Sequence, residues 1–215
     1  MKIRFIINPI SGTGKQKNIV EIVEKYFNFE NYDFVYTNKK GHASELCKSA
    51  FNENVNIIVA VGGDGTVNEC AKEIINKNVA LAVIPCGSGN GFAYNIGMKK
   101  KVIDAVKQLN NGKIKKIDTA TLNLIPFVNV SGVGFDAYIA HLFSKTKIRG
   151  FRSYIKLVLK KVLEYNSNYY TLRTNVKDFK FQAYFIAFAN SVKYGNDIKI
   201  SPQSNLNDGK TDIVI

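Results

Sequence analysis

Tryptophan is absent from this 215-residue chain, histidine occurs twice, cysteine three times and proline four times. Each scarcity closes off a class of protein. Cys47, Cys70 and Cys86 are odd in number and lack metal or redox spacing, which argues against a disulfide scaffold and predicts reduced, buried thiols. His42 and His141 lie far apart and share no metal-ligand spacing. Long apolar runs are missing as well: residues 79–86 fall far short of the ~20 residues that cross a bilayer. Nor does the N-terminus read as a signal peptide, because strand-like residues 1–7 lead straight into Asn8-Pro9 and a glycine turn. These absences predict a cytoplasmic protein, neither secreted nor membrane-spanning. Acidic side chains are the last shortage, 17 against 30 basic ones, for a net charge of +13. That surplus favours anionic partners such as membrane surfaces or phosphorylated ligands. It comes with no nucleic-acid readout motif, so no nucleic-acid partner is expected.

What is present is a globular composition. Hydrophobic residues make up 46% and aromatics 12%, enough to bury a core. Over residues 1–118, strand and helix patterns alternate. Residues 2–7, 32–37, 56–61 and 79–84 read as strands, and 41–51, 67–75 and 102–109 as helices. Ile19, Ile22, Val23, Tyr26 and Phe27 also recur at helical spacing. The series predicts an α/β domain with a mostly parallel sheet covered on both faces. From about residue 118 the pattern changes. Residues 114–122, 126–130, 169–176 and 179–190 are rich in β-branched and aromatic residues, with one helical insert. They predict a mainly antiparallel, sandwich-like β domain over 119–215.

The sharpest motif is Gly62-Gly63-Asp64-Gly65-Thr66-Val67-Asn68-Glu69, between a buried strand and a helix. Its glycines let the backbone approach a ligand, and the helix points unpaired N–H groups and a positive dipole end at the loop. A bare carboxylate beside phosphates would be repelled. Asp64 is therefore expected to face Mg²⁺ or to take a proton from an attacking hydroxyl. Read alone, the segment also suits a tight turn capped by Asp64; two further loops tip the reading towards function. Pro85-Cys86-Gly87-Ser88-Gly89-Asn90-Gly91 and Asn8-Pro9-Ile10-Ser11-Gly12-Thr13-Gly14-Lys15 both leave strand ends, where open α/β sheets bind ligands. The second of these is not a Walker loop. Pro9 stands where that pattern needs glycine, and Gln16 where it needs Ser or Thr.

These loops in this order resemble the catalytic domain of the diacylglycerol kinase and sphingosine kinase family. The likeness continues in Asn129-Val130-Ser131-Gly132-Val133-Gly134-Phe135-Asp136 and in Leu206-Asn207-Asp208-Gly209-Lys210-Thr211-Asp212. The resemblance implies an ATP-dependent lipid kinase with a nucleotide domain, a β-sandwich domain and a cleft between them. By position it implies a nucleotide site of Asn8, Pro9, Ile10, Ser11, Gly12, Thr37, Gly62, Gly63, Asp64, Gly65, Thr66, Val67, Asn68 and Ser88, with Asp64 catalytic. It also implies a structural Mg²⁺ held by the Asp208 carboxylate and the main-chain carbonyls of Asn205 and Lys210. Without the family, Asp208-Gly209 reads as an ordinary hairpin turn. Two departures stand out. Gly91 occupies a position where the family often has Asp, closer to the sphingosine-kinase form. The chain also stops at Ile215, within a strand-like run, where bacterial members continue to a further carboxylate. It is therefore expected to be truncated at its C-terminus, leaving Asp64 as the base.

Lys145, Lys147, Arg149, Arg152, Lys156, Lys160 and Lys161 form a basic run partly on an amphipathic helix, with Ile155, Val158, Leu159 and Val162 on its apolar side. It suits either a solvated face or an anionic lipid surface, and the expected partner is a lipid substrate taken from such a surface by a peripheral enzyme. A homodimer is compatible with the sequence. Two rival readings are an NAD kinase, for which the second glycine motif is poorly suited, and a non-catalytic module that binds nucleotide and membrane surface.

Overall fold

The computed structural model describes every residue except Thr13, residues 147–149 and Asp197, together with all side chains of the described residues but that of Phe151. The first part follows the alternation read from the sequence. It runs β1 (Ile3–Ile7), α1 (Ile19–Tyr26), β2 (Tyr32–Tyr36), α2 (His42–Asn52), β3 (Ile57–Gly62), α3 (Asp64–Ile74), β4 (Ala80–Pro85), α4 (Gly91–Asn95) and α5 (Val102–Leu109). The four strands form one parallel sheet in the order β2-β1-β3-β4. Both faces are covered, which is why β1 and β3 read as near-continuous apolar runs. Ile3, Phe5 and Ile7 face Ile19 and Val23 of α1 and Val102, Ala105 and Val106 of α5. Ile6, Ile58, Ala60 and Val83 face Ala43, Cys47 and Ala50 of α2 and Val67, Cys70 and Ala71 of α3. All three cysteines are free and buried, as expected.

Arg4 interrupts the apolar run of β1 and is buried. Its guanidinium donates to Asp33 at 2.8 and 2.7 Å and to Glu53 at 2.8 and 2.5 Å, so the charge is fully paired at the sheet margin. Glu69, on α3, does similar work for α2. Its carboxylate accepts the Gly41 and Ala43 N–H groups and so caps a helix whose own N-cap residue has no side chain.

The second part is mainly antiparallel, with shorter strands than the sequence suggested. It comprises β5 (Ala120–Leu122), β6 (Ile125–Phe127), β7 (Val130–Gly134), α6 (Phe135–Lys145), α7 (Phe151–Val162), β8 (Asn168–Arg173), β9 (Asp178–Ala183), β10 (Phe185–Ala189), β11 (Lys193–Gly195), β12 (Ile198–Lys199) and β13 (Asp212–Val214). β13-β10-β7 form a three-stranded sheet; β5-β6, β8-β9 and β11-β12 are two-stranded ladders. Residues 114–119 join no ladder, so the strand expected over 114–122 shrinks to β5. A hairpin at Asn123-Leu124, both at positive φ, separates β5 from β6, and the stretch expected over 126–130 is interrupted at Val128-Asn129, between β6 and β7. The strand expected over 169–176 ends at Arg173, because the Thr174 hydroxyl accepts the Val176 and Lys177 N–H groups in a turn. The run 179–190 breaks at Tyr184, leaving β9 on one ladder and β10 on another sheet. The basic helix is present as α7, with Lys145 ending α6; Lys147 and Arg149 lie outside the described residues.

The two parts are joined by polar ties. Asn190 donates its side-chain amide to the Asp118 and Val128 carbonyls, and Gly209 N–H donates to Asp118 Oδ2 at 2.7 Å. Leu206 and Val128 pack into the core on the α2–α3 face of the parallel sheet.

Candidate active site

In a parallel sheet ordered 2-1-3-4, the direction in which successive strands are added reverses between β1 and β3, and a crevice opens at that switch point beyond the strands' carboxyl ends. The loops after β1, β3 and β4 meet there. Asn8 Nδ2 donates to Thr66 Oγ1 at 3.0 Å, tying the first loop to α3. Gly12 lies against β4's exit: a Cβ on it would come within 2.1 Å of the Cys86 carbonyl oxygen. A Cβ on Gly87 would come within 2.3 Å of Gly63 Cα. Only glycine allows the three backbones to approach so closely.

Asp64 opens α3 instead of lying in a loop, three residues before the helix start read from the sequence. Gly63 is extended just before it, and an acidic side chain in the first turn complements the helix dipole. The carboxylate turns towards β4's exit, where the Asn90, Gly91 and Phe92 backbone N–H groups engage it; Phe92 N–H donates to Oδ1 at 3.4 Å. Enclosure nevertheless raises its pKa above the usual carboxylate range, since burial outweighs those donors. Beside it, no atom lies within 4 Å of where a Gly65 Cβ would stand. The site therefore combines N–H donors at a helix start, one hard oxygen-bearing anion and open space, a donor set suited to phosphate and a divalent cation.

The other residues singled out in the sequence fall into distinct positions. Asn8, Pro9, Ile10, Ser11 and Gly12 form the first loop, with Ile10 at its exposed tip. Thr37 directly follows β2 and donates its N–H to the Ile7 carbonyl, one residue before Asn8. Gly62, Gly63, Gly65 and Thr66 surround the start of α3. Val67 lies deeper, its side chain packed in the core and its N–H bonded to the Gly63 carbonyl. Asn68 is half-buried on α3. Ser88 faces the second part, its Oγ accepting the Gly150 N–H at 3.1 Å. The late turn is separate from this group. Asp208 Oδ1 accepts the Lys210 N–H, Asn205 Oδ1 accepts the Asn207 N–H, and Gly209 takes φ +71° between them. Among the described residues no three His, Cys, Asp or Glu side chains gather as a metal site, so a cation at this turn would draw on main-chain oxygens. His42 Nδ1 accepts the Asn38 N–H.

Two structural residues of the site escaped the sequence reading. Gln16, standing where a Walker loop would have Ser or Thr, is buried and donates its amide to the Asn8, Pro9 and Ser11 carbonyls, holding the first loop closed. Asn90 takes φ +54° and bonds both the N–H and the carbonyl of Gly87, closing the loop after β4. The first could be suspected from the failed Walker pattern; the second sits in the quoted motif but has no periodic signal.

Parallel strands covered on both faces, three loops meeting at the switch point, a carboxylate on the next helix and an antiparallel second part define an α/β protein with a β-rich second part. Residues 2–122 match the family model of the diacylglycerol kinase catalytic domain, and 129–215 that of the YegS C-terminal NAD kinase beta sandwich-like domain. The chain belongs to the diacylglycerol kinase catalytic domain family, a family of lipid kinases. The diacylglycerol kinase of Bacillus subtilis (strain 168) is 28% identical over 222 residues, an alignment covering 99% of this chain and 72% of that protein. The uncharacterized protein sll0036 of Synechocystis is 31% identical over 145 residues, 62% of this chain and 34% of its own length. This chain thus spans about a third of that relative. Among solved structures, a diacylglycerol kinase of Bacillus anthracis strain Sterne superposes with a TM-score of 0.74 at 24% identity, covering 99% of this chain and 71% of the other. A second structure from that strain, of a candidate diacylglycerol kinase, gives 0.77 at 25%, covering 99% and 74%. Among the described residues no helix is long and apolar enough to cross a membrane.

Proposed function

We propose that this chain transfers the γ-phosphoryl group of ATP to the hydroxyl of a lipid, diacylglycerol or a sphingoid base. The observation that carries the reading is the Asp64 carboxylate, fixed by loop N–H groups at the start of α3 where three loops converge. Residues 1–118 would bind the nucleotide, and 119–215 would present the lipid. The backbone N–H groups of Gly63, Gly65 and Thr66, with the first loop, hold the phosphates. Asp64 takes the proton of the lipid hydroxyl as its oxygen bonds to the γ-phosphorus and the bond to the bridging oxygen breaks, releasing ADP. Bound Mg²⁺ neutralises phosphate charge. A second Mg²⁺ at the late turn would be held by the Asp208 carboxylate and the carbonyls of Asn205 and Lys210, a structural role remote from the reaction. α7 would rest on an anionic membrane surface.

The test is transfer of label from γ-labelled ATP, with Mg²⁺, to diacylglycerol, sphingosine, ceramide and NAD in mixed micelles. Label on a lipid is expected; label on NAD, or none despite bound nucleotide, overturns the reading. Asp64→Asn is expected to fold and to lose about 10³-fold in kcat, the range for a removed general base. Because burial raises the Asp64 pKa, the acid limb of the pH–rate profile is expected to move upward from that of an exposed carboxylate.

A further inference from the structure

α4 has five residues, too few to hold a helix by its own hydrogen bonds, and its N-cap Asn90 makes no side-chain cap bond. Something else fixes it, and Asp64 depends on it, because the N–H groups of Gly91 and Phe92 that engage the carboxylate belong to its first turn. The fixing surface is β11, in the second part of the chain. The Asn95 carboxamide pairs with Lys193 on both sides: Oδ1 accepts the Lys193 N–H at 3.0 Å, and Nδ2 donates to the Lys193 carbonyl at 3.0 Å. A side chain thus stands where a neighbouring strand would stand in a ladder. Nδ2 also lies 2.8 Å from Asn129 Oδ1 and 2.8 Å from Ser191 Oγ, and Ser191 Oγ bonds Asn129 Oδ1 in turn.

The other end of α4 is pressed on the same strand. A Cβ on Gly91 would come within 2.3 Å of the Tyr194 carbonyl oxygen, and Asn196 N–H donates to the Gly89 carbonyl at 2.9 Å. β11 is itself anchored, since the Tyr194 hydroxyl donates to Asp136 Oδ2 at 2.9 Å at the start of α6. The contacts therefore run unbroken from α6 through β11 and α4 to the Asp64 carboxylate.

We propose that Asn95 is a positioning residue through which the second part of the chain holds Asp64 in its working position. The inference rests on the kinase reading for its kinetic consequence, but its geometric content can be measured without turnover. Asn95→Leu keeps the branched four-atom shape of the side chain and removes every hydrogen bond to β11. It is expected to lower kcat about a hundredfold, the scale of a small misplacement of a reacting group. KM for ATP should stay within about twofold, because the nucleotide loops keep their own ties. Hydrogen exchange at the Phe92 amide, followed by ¹⁵N NMR, should quicken in the same variant. Asn190→Ala is the comparison: it cuts a tie between the two parts that does not touch α4 and should lower Tm without moving kcat or Phe92 exchange. Equal losses of kcat in both variants, or an unchanged kcat in Asn95→Leu, overturn the proposal. If the wild-type chain transfers no phosphate at all, the kinase reading fails and Phe92 exchange decides alone. Faster exchange in Asn95→Leu but not in Asn190→Ala upholds the positioning role, and any other pattern refutes it.

Discussion

The two parts of the chain are built to different standards. Of the twelve largest fully buried side chains among the described residues, eleven lie in β1, α1, β3 and β4, and Ile139 of α6 is the one beyond residue 118. The first part has a parallel sheet sealed on both faces. The second has a three-stranded sheet, isolated two-stranded ladders, and apolar side chains such as Leu124, Leu163, Tyr169 and Val176 left in water. A two-stranded ladder is marginal by itself, so the second part borrows stability from the first through Leu206, Val128 and the Asn190 ties. For core stability this dependence runs one way, although the placement of α4 depends in turn on β11.

The largest expected effect follows from that asymmetry. Phe5 is fully buried in β1, with Phe27, Phe34 and Tyr32 at 5.3, 5.3 and 5.9 Å between ring centroids. Phe5→Ala is expected to cost about 3–5 kcal/mol and to loosen both parts together. Ile186 of β10 is also buried, but its truncation is expected to cost about 2 kcal/mol and to quicken hydrogen exchange only in the second part. Urea unfolding with residue-resolved exchange reads both. Equal acceleration in β1 and β3 on Ile186→Ala would break the comparison, because dependence would then run both ways.

A smaller effect sharpens it at the sheet margin. Arg4 and Lys2 hold the Glu53 carboxyl down to about 2, from an ordinary 4.5. A depressed carboxyl contributes stability above its unfolded value and loses it as pH falls towards the folded one. The wild-type chain should therefore lose stability between about pH 4.5 and 2, and Arg4→Met should flatten that limb. An unchanged limb would show that the exposed Glu53 contributes nothing measurable.

The same asymmetry governs how much could be read from sequence. β1 and β3 were legible because a strand buried on both faces writes its burial into consecutive residues, and the glycine motifs sit at the strand ends that define the crevice. Strand ends in the second part were not, since a β-branched run continues past the point where its partner stops, as at Arg173 and Tyr184. α4 was too short to show a period. The polar contacts that shape the site were invisible for another reason: Gln16 on the first loop, Glu69 on α2 and Asn95 on Lys193 are single residues whose partners are set by the fold. Asp64 itself was found because glycines flag it.

The smallest expected effect on stability concerns α7, which has no fully buried side chain among those described. Leu159 and Leu163 are 65% and 92% exposed, with Lys156 and Lys160 also in water. Leu159→Ser with Leu163→Ser should leave the urea midpoint within about 0.5 kcal/mol of wild type, as surface changes do. On the proposed reading these leucines enter the headgroup region while the lysines meet anionic lipid. The double variant should then bind phosphatidylglycerol-containing vesicles more weakly in a sedimentation assay, and Lys156→Glu with Lys160→Glu should remove the salt-sensitive share. A marked loss of folding stability in the leucine variant would mean that α7 is packed as firmly as β1, and the contrast between the two parts would fall. Unchanged vesicle binding would leave the contrast standing and take the membrane surface away from α7.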